Sequence, residues 1–179
     1  MKTSSLCILL VGLLLCSCRE PQPNPQPKPV QGQSDRQLKE SLEKANRYLV
    51  NDEEEEIDNY VRRHQLEMIA TGTGLRYQIL ERGKGRPAQP GNRVTLDYVL
   101  YDLTGDVVYD SETDGQMQFV VSKSEVPSGL DEAVRLLHEG DCAWVIIPSH
   151  LGYGLLDDQK NVPSRATLIY LLKLQKVED

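Results

Sequence analysis

The sequence concentrates positive charge nowhere: 20 Lys and Arg stand against 27 Asp and Glu, a formal net charge of −7, and no basic cluster occurs. A nucleic-acid surface needs Lys and Arg gathered on one face, so that class of function is excluded. No apolar run reaches the roughly 20 residues that span a bilayer. The longest, Leu6 to Leu15 behind Lys2, reads as a signal peptide over residues 1–17. His64, His138 and His150 share no metal-ligand spacing, and there is neither a G-x-S-x-G elbow nor a phosphate-cradling glycine loop. No metal and no cofactor is expected.

Cysteine is scarce, and its placement is informative. Leu15-Cys16-Ser17-Cys18 resembles the bacterial lipoprotein processing box, with a leucine three residues ahead of the modified cysteine and a small residue just ahead. That resemblance implies lipid on Cys18. The alternative is ordinary secretion with an unmodified thiol, against which the lack of an A-x-A pattern counts. Processing removes Cys7 and Cys16 and lipidation consumes Cys18, which leaves Cys142 alone and no internal disulfide. Cys142 is expected in a strand with no cationic neighbour to lower its pKa. Loss of Lys2 takes the charge from −7 to −8, so attraction to anionic headgroups cannot hold the chain on a membrane. Acyl chains must, and stable anchoring takes more than one. The expected location is the cell envelope, lipid-anchored, facing the periplasm or on the outer membrane.

In residues 18–33 proline recurs at every second position from Pro21 to Pro29, which fixes φ and makes a semi-rigid spacer. Residues 34–71 read as a helical extension of two helices. Leu38, Leu42, Ala45 and Leu49 line one face of the first. Asn51 caps the second, Asp52 to Glu56 form its solvated first turn, Ile57, Val61 and Met68 line it, and Gly72 and Gly74 end it. Such helices can pack on the domain or pair with a second copy. From Gly74 the pattern changes to period two, the strand signature. Leu75 to Ile79, Val94 to Leu100, Val107 to Asp110, Met117 to Val121, Ala143 to Ile147 and Leu168 to Leu174 are candidate strands. One helix is signalled from a Ser128 cap to Gly140, with His138 as a surface residue complementing its dipole. The expected class is α+β, an antiparallel sheet with its helix on one face. Trp144 reads as outward or under the N-terminal helices.

Val94-Thr95-Leu96-Asp97-Tyr98, Tyr109-Asp110-Ser111, Phe119, Glu125-Val126, Gly129-Leu130-Asp131-Glu132-Ala133, Gly140, Ile147-Pro148, Leu151-Gly152-Tyr153-Gly154, Val162-Pro163 and Ala166-Thr167-Leu168 follow one another in that order. From about Gly91 to Val177 this resembles the FKBP-type peptidyl-prolyl cis-trans isomerase domain. Resemblance to gliding-motility FKBP-type lipoproteins extends back through Asn46-Arg47-Tyr48-Leu49-Val50 to Gly72-Thr73-Gly74-Leu75. The implied fold is a twisted antiparallel sheet wrapped around one short helix, over residues 72–179, and the implied partners are proline-containing polypeptides.

The resemblance also implies a site. Tyr98, Asp110 and Tyr153 take the catalytic positions, and Tyr109, Met117, Phe119, Val126, Leu130, Val162 and Tyr170 wall the substrate pocket. The departures are Leu130, where the family most often has a tryptophan floor, and Pro127, where many members offer a backbone amide that proline lacks. Asp158 and Asn161 make the loop before Val162 more polar than usual. These changes point to weak binding of macrolide inhibitors and a low isomerase rate. A non-catalytic binding module of the same fold is the competing expectation.

Overall fold

A computed structural model describes residues 35–123 and 126–179 of the 179-residue chain. The expected signal peptide, the lipidated Cys18, the proline-rich spacer and Glu125 lie outside the described residues. The chain divides into two units, 1–41 and 42–179. The described part of the first is the start of helix α1, Asp35–Arg63. The second unit holds every strand and the site.

The two expected N-terminal helices are one. No Gly or Pro interrupts residues 35–63, and once a helix is nucleated each further residue gains a bond at little cost, so Asn51 is carried within α1 rather than capping a new helix. The helix ends well before Gly72. Gln65 turns left-handed at φ 53, Leu66 N–H donates to the Val61 carbonyl at 3.1 Å, and Gln65 N–H donates to that of Arg62 at 3.2 Å. This is a Schellman closure with glutamine where glycine is usual, and the apolar pair Val61 and Leu66 accompanies it.

The chain then enters an antiparallel seven-stranded sheet. Its strands are β1 Ile69–Ala70, β2 Arg76–Glu81, β3 Arg93–Tyr101, β4 Val107–Asp110, β5 Met117–Val120, β6 Cys142–Ile147 and β7 Leu168–Glu178. The path runs β1-β2-β6-β7-β3-β4, and β5 pairs with the first half of β3. Two short helices complete the domain, α2 Ser111–Asp114 and α3 Ser128–Val134. β1 is an addition to the expected strands and takes residues read as a helix tail.

Period two sorts the side chains onto two faces. Ala143, Val145 and Ile147 on β6 and Leu168, Tyr170, Leu172 and Leu174 on β7 face α3 and form the main core with Leu130, Ala133 and Val134. Ile146 and Ile169 point the other way, where Ile57 and Tyr60 of α1 cover them. Trp144 lies on that second face, its ring 5.6 Å from that of Tyr101. The domain is thus three layers: α1, sheet, α3.

Helix α3 is shorter than expected, and Pro127 is its N-cap. The Pro127 carbonyl accepts the amides of Leu130 and Asp131, while the Ser128 hydroxyl donates to the Leu151 carbonyl. Beyond Val134 tight turns lead to Gly140 at φ 92. His138 therefore complements no helix end. Its amide donates to the fully buried Asp141, and its Nδ1 is buried with no hydrogen-bond partner among the described residues, 3.7 Å from Asp141 Oδ2.

Candidate functional site

The site lies on the α3 face of the sheet, where four strands and a long loop converge. β3 supplies Tyr98 between Leu96 and Leu100. Tyr109 of β4 pairs with Leu100, Met117 and Phe119 of β5 pair with Leu96 and Val94, and Tyr170 of β7 also pairs with Leu100. Val126 and Leu130 enter from the start of α3. The loop from Ser149 to Thr167 adds Tyr153 and Val162. All nine of these expected residues fall in one cluster.

Burial divides them. Phe119, Leu130, Val162 and Tyr170 form a closed apolar floor, and Tyr98, Tyr109, Met117, Val126 and Tyr153 stand partly exposed around it. Leu130 is 0% exposed, so it supports the floor from beneath. Its helix reaches the sheet because residue 129 is glycine: a Cβ there would lie 2.3 Å from Ile147 Cγ2.

Four tyrosines give this floor its polarity. The rings of Tyr98 and Tyr170 meet edge to face at 6.1 Å. Burial raises the phenol pKa of Tyr98, with the charges of Asp114 and Asp110 adding to it. Burial does the same to Tyr153 and most strongly to Tyr170. All therefore stay protonated at physiological pH. Among the described residues no hydrogen bond engages the hydroxyls of Tyr98, Tyr153 or Tyr170, which leaves phenolic donors for an incoming acceptor.

The fourth tyrosine is engaged. Tyr109 donates its hydroxyl to Asp158 Oδ2, and Asp158 Oδ1 accepts the amides of Lys160 at 2.9 Å and Val162 at 2.8 Å. Burial, and next this hydrogen bond, push the Tyr109 phenol up to about 12. For Asp158 burial acts upward, but the Tyr109 hydroxyl and the loop amides outweigh it and hold the carboxyl below its ordinary value. Asp158, expected as a polar lip, is the residue that pins the loop to β4.

Asp110 stands apart from the apolar walls. It pairs with Val99, so its side chain alternates away from Tyr109, and its Oδ1 accepts the Glu112 amide at 2.8 Å as the N-cap of α2. With Tyr98, Asp97, Ser111 and Lys173 it lines a neighbouring cleft of about 440 Å³. Its charge reaches the pocket through Tyr98.

The sequence places Glu53 in a run, Asp52 to Glu56, expected to be solvated. The structure instead turns it inward from α1, where it accepts hydrogen bonds from Ser149 and Thr167 at the two ends of the pocket loop. No local pattern marks a partner 96 residues away. Cys142 does have a cation beside it, since it pairs with Lys173. Burial and Glu81 nevertheless raise its thiol pKa, against a smaller opposing effect of Lys173. Among the described residues no cluster of His, Cys, Asp or Glu is placed to hold a metal ion.

These features define an α+β domain in which four tyrosines gather with Phe119, Leu130 and Val162 in one apolar cluster. Residues 84–175 match the family model of FKBP-type peptidyl-prolyl cis-trans isomerases. A probable FKBP-type isomerase, FkpA, of Neisseria meningitidis is 33% identical over 107 residues, which are 60% of this chain and 39% of that protein. An FK506-binding protein of the same species is 31% identical over 106 residues, 58% of this chain and 96% of that one. The chain thus spans well under half of the first relative and nearly all of the second. Among solved structures, FkpA from Escherichia coli superposes with a TM-score of 0.62 at 22% identity, covering 81% of this chain and 73% of that one. An isomerase from Pseudomonas syringae gives a TM-score of 0.63 at 18% identity, covering 74% and 96%. At that identity the superpositions speak for the fold. The chain belongs to the FKBP-type peptidyl-prolyl cis-trans isomerase family, a family of enzymes.

Proposed function

We propose that this chain is a peptidyl-prolyl cis-trans isomerase that assists the folding of exported proteins at a bacterial envelope. The observation that carries the reading is the gathering of Tyr98, Tyr153 and Tyr170, whose hydroxyls have no hydrogen-bond partner among the described residues, in one apolar cluster.

Rotation about the bond before proline meets a barrier of about 18–20 kcal/mol because the twisted amide loses its resonance. The planar amide is the more dipolar form and water solvates it well. A floor of Phe119, Val162 and Tyr170 replaces that water and weakens the advantage of the planar form. The phenols hold the flanking peptide by donating to its carbonyls. Only interactions stronger in the twisted state raise the rate, and each tenfold acceleration takes about 1.4 kcal/mol of such preference. No nucleophile or base is required. Asp110 contributes from the rim, by its charge beside Tyr98 and by fixing α2.

Lipid on Cys18 places the enzyme at the membrane surface, and residues 18–33 serve as its spacer. No helix among the described residues is long and apolar enough to cross a membrane. The exposed Leu42, Tyr48 and Leu49 of α1 offer a surface for a second copy.

Leu130 and Pro127 favour the competing reading of a non-catalytic chaperone or structural module of the same fold. Refolding of a protein whose slow phase is X-Pro isomerisation separates the two. An isomerase speeds that phase, which otherwise takes tens to hundreds of seconds, at concentrations far below the substrate's. A binding module slows refolding or leaves it unchanged, and acts only in stoichiometric amounts.

A further inference from the structure

We infer that Glu53, on the N-terminal helix and outside the isomerase domain proper, is a positioning residue for the pocket. Its Oε1 accepts the Ser149 amide at 2.6 Å and the Thr167 hydroxyl at 2.7 Å, and its Oε2 accepts the Ser149 hydroxyl at 2.8 Å. Ser149 and Thr167 are buried and are the two feet of the loop that carries Tyr153, Asp158 and Val162. One carboxylate thus closes a 19-residue loop, 149–167, at its base.

From the base the constraint runs directly to the pocket. The Ser149 carbonyl accepts the amides of Gly152 at 3.0 Å and Gly154 at 2.8 Å, the two neighbours of Tyr153. The Gly154 carbonyl in turn accepts the Arg165 amide at 2.7 Å, on the returning side of the loop. Tyr153 therefore sits on a short ladder whose bottom rung is Glu53. The far end of the loop is held by the Tyr109–Asp158 bond. Between these two ties Leu155 and Leu156 are exposed. Beyond the single 3-10 turn Ser149–Leu151 the loop has no regular structure, and a loop of this length pays closure entropy, so its precision depends on such ties.

Helix α1 does not depend on Glu53 for its own seat. Ile57 and Tyr60 bury against Ile146 and Ile169 and anchor it to the sheet. Around Glu53 an open cleft of about 300 Å³ is lined by Leu49, Asp52, Glu56, Asp102 and Arg165, so the side chain fills no core space there. Among the described residues its hydrogen-bond partners are the two loop feet. Loss of the carboxylate should loosen the loop and leave helix and sheet in place.

The inference rests on the isomerase reading, and its test keeps the two separable. In the full chain, Glu53→Ala and Glu53→Gln are compared with the parent by kcat/KM on an X-Pro peptide, by amide hydrogen exchange and by thermal midpoint. Displacing a pocket residue by an ångström can cost up to about a hundredfold, and Glu53→Ala should lower kcat/KM by about tenfold. Exchange should rise across 149–167, while protection over Ile57–Arg63 stays at the parent's level. Glu53→Gln should restore both, because its Oε1 still accepts from Ser149 N and Thr167 and its amide nitrogen can donate to the Ser149 hydroxyl. Unchanged loop exchange and unchanged rate in Glu53→Ala would overturn the inference. So would a loss of protection throughout the domain, or failure of Gln to rescue. If the parent itself has no isomerase activity, that reading fails, and loop exchange in the two variants still decides the role of Glu53.

Discussion

Tyr109 and Asp158, 49 residues apart, are joined by a hydrogen bond that ties β4 to the loop carrying Tyr153. The bond leaves the hydroxyls of Tyr98, Tyr153 and Tyr170 without hydrogen-bond partners among the described residues.

This bond should be titratable. Tyr109 has its phenol raised to about 12 in the folded chain, against 10.0 for an unperturbed tyrosine. Its contribution to stability is fully present below pH 10 and is lost as pH rises through 12, because the unfolded chain deprotonates first. Asp158 works in the opposite direction. Its lowered pKa stabilises the fold above the ordinary carboxylate range and is lost as pH falls through its folded value. Ultraviolet phenolate titration of the parent should show a tyrosine near pH 12 that Asp158→Asn moves back toward 10. Tyr109→Phe should cost about 1 kcal/mol of stability, measured by denaturant unfolding.

Tyr153→Phe removes a hydroxyl with no partner among the described residues. Stability should stay within about 0.5 kcal/mol of the parent, as for changes that break no named interaction. The peptide isomerisation rate should fall by roughly tenfold, about 1.4 kcal/mol of lost transition-state preference. A fall in stability of the same size would mean the hydroxyl serves the fold.

Asp110 requires two variants to separate charge from cap. Asp110→Ala loses the bond to the Glu112 amide and should cost about 1 kcal/mol of stability, the usual value for a lost N-cap. Asp110→Asn keeps a good capping group, so it should hold the stability while removing the charge beside Tyr98. Any rate lost in Asn alone measures the electrostatic part.

Leu130 and Gly129 set the depth of the floor. Leu130→Ala leaves a void under Phe119 and Tyr170 and should cost about 2–5 kcal/mol. Gly129→Ala places a methyl 2.3 Å from Ile147 Cγ2, and the shift of α3 that relieves the clash should cost about 1–3 kcal/mol. Both should raise KM together with the loss of thermal midpoint.

The strands were legible because period two is a local signal: Val94, Leu96, Leu100, Leu168, Tyr170, Leu172 and Leu174 fall on the core face as alternation requires. The end of α1 was not, because glutamine rather than glycine takes the left-handed position, and Asn51 resembles a cap wherever it stands. The pocket walls were legible through family motifs whose residues the sheet register brings together. Asp158 and Glu53 were hidden for a different reason. Each acts on a partner at least 49 residues away through a single carboxylate, and a polar side chain in an acidic stretch has the same local appearance whether it is solvated or engaged.

The cis-to-trans rate of a short X-Pro peptide, followed with the purified chain from residue 34 onward, tests the isomerase reading most directly. The parent should accelerate the reaction well above the uncatalysed rate, and Tyr153→Phe should lose most of that acceleration while remaining folded. A folded parent that leaves the rate at its uncatalysed value would contradict it.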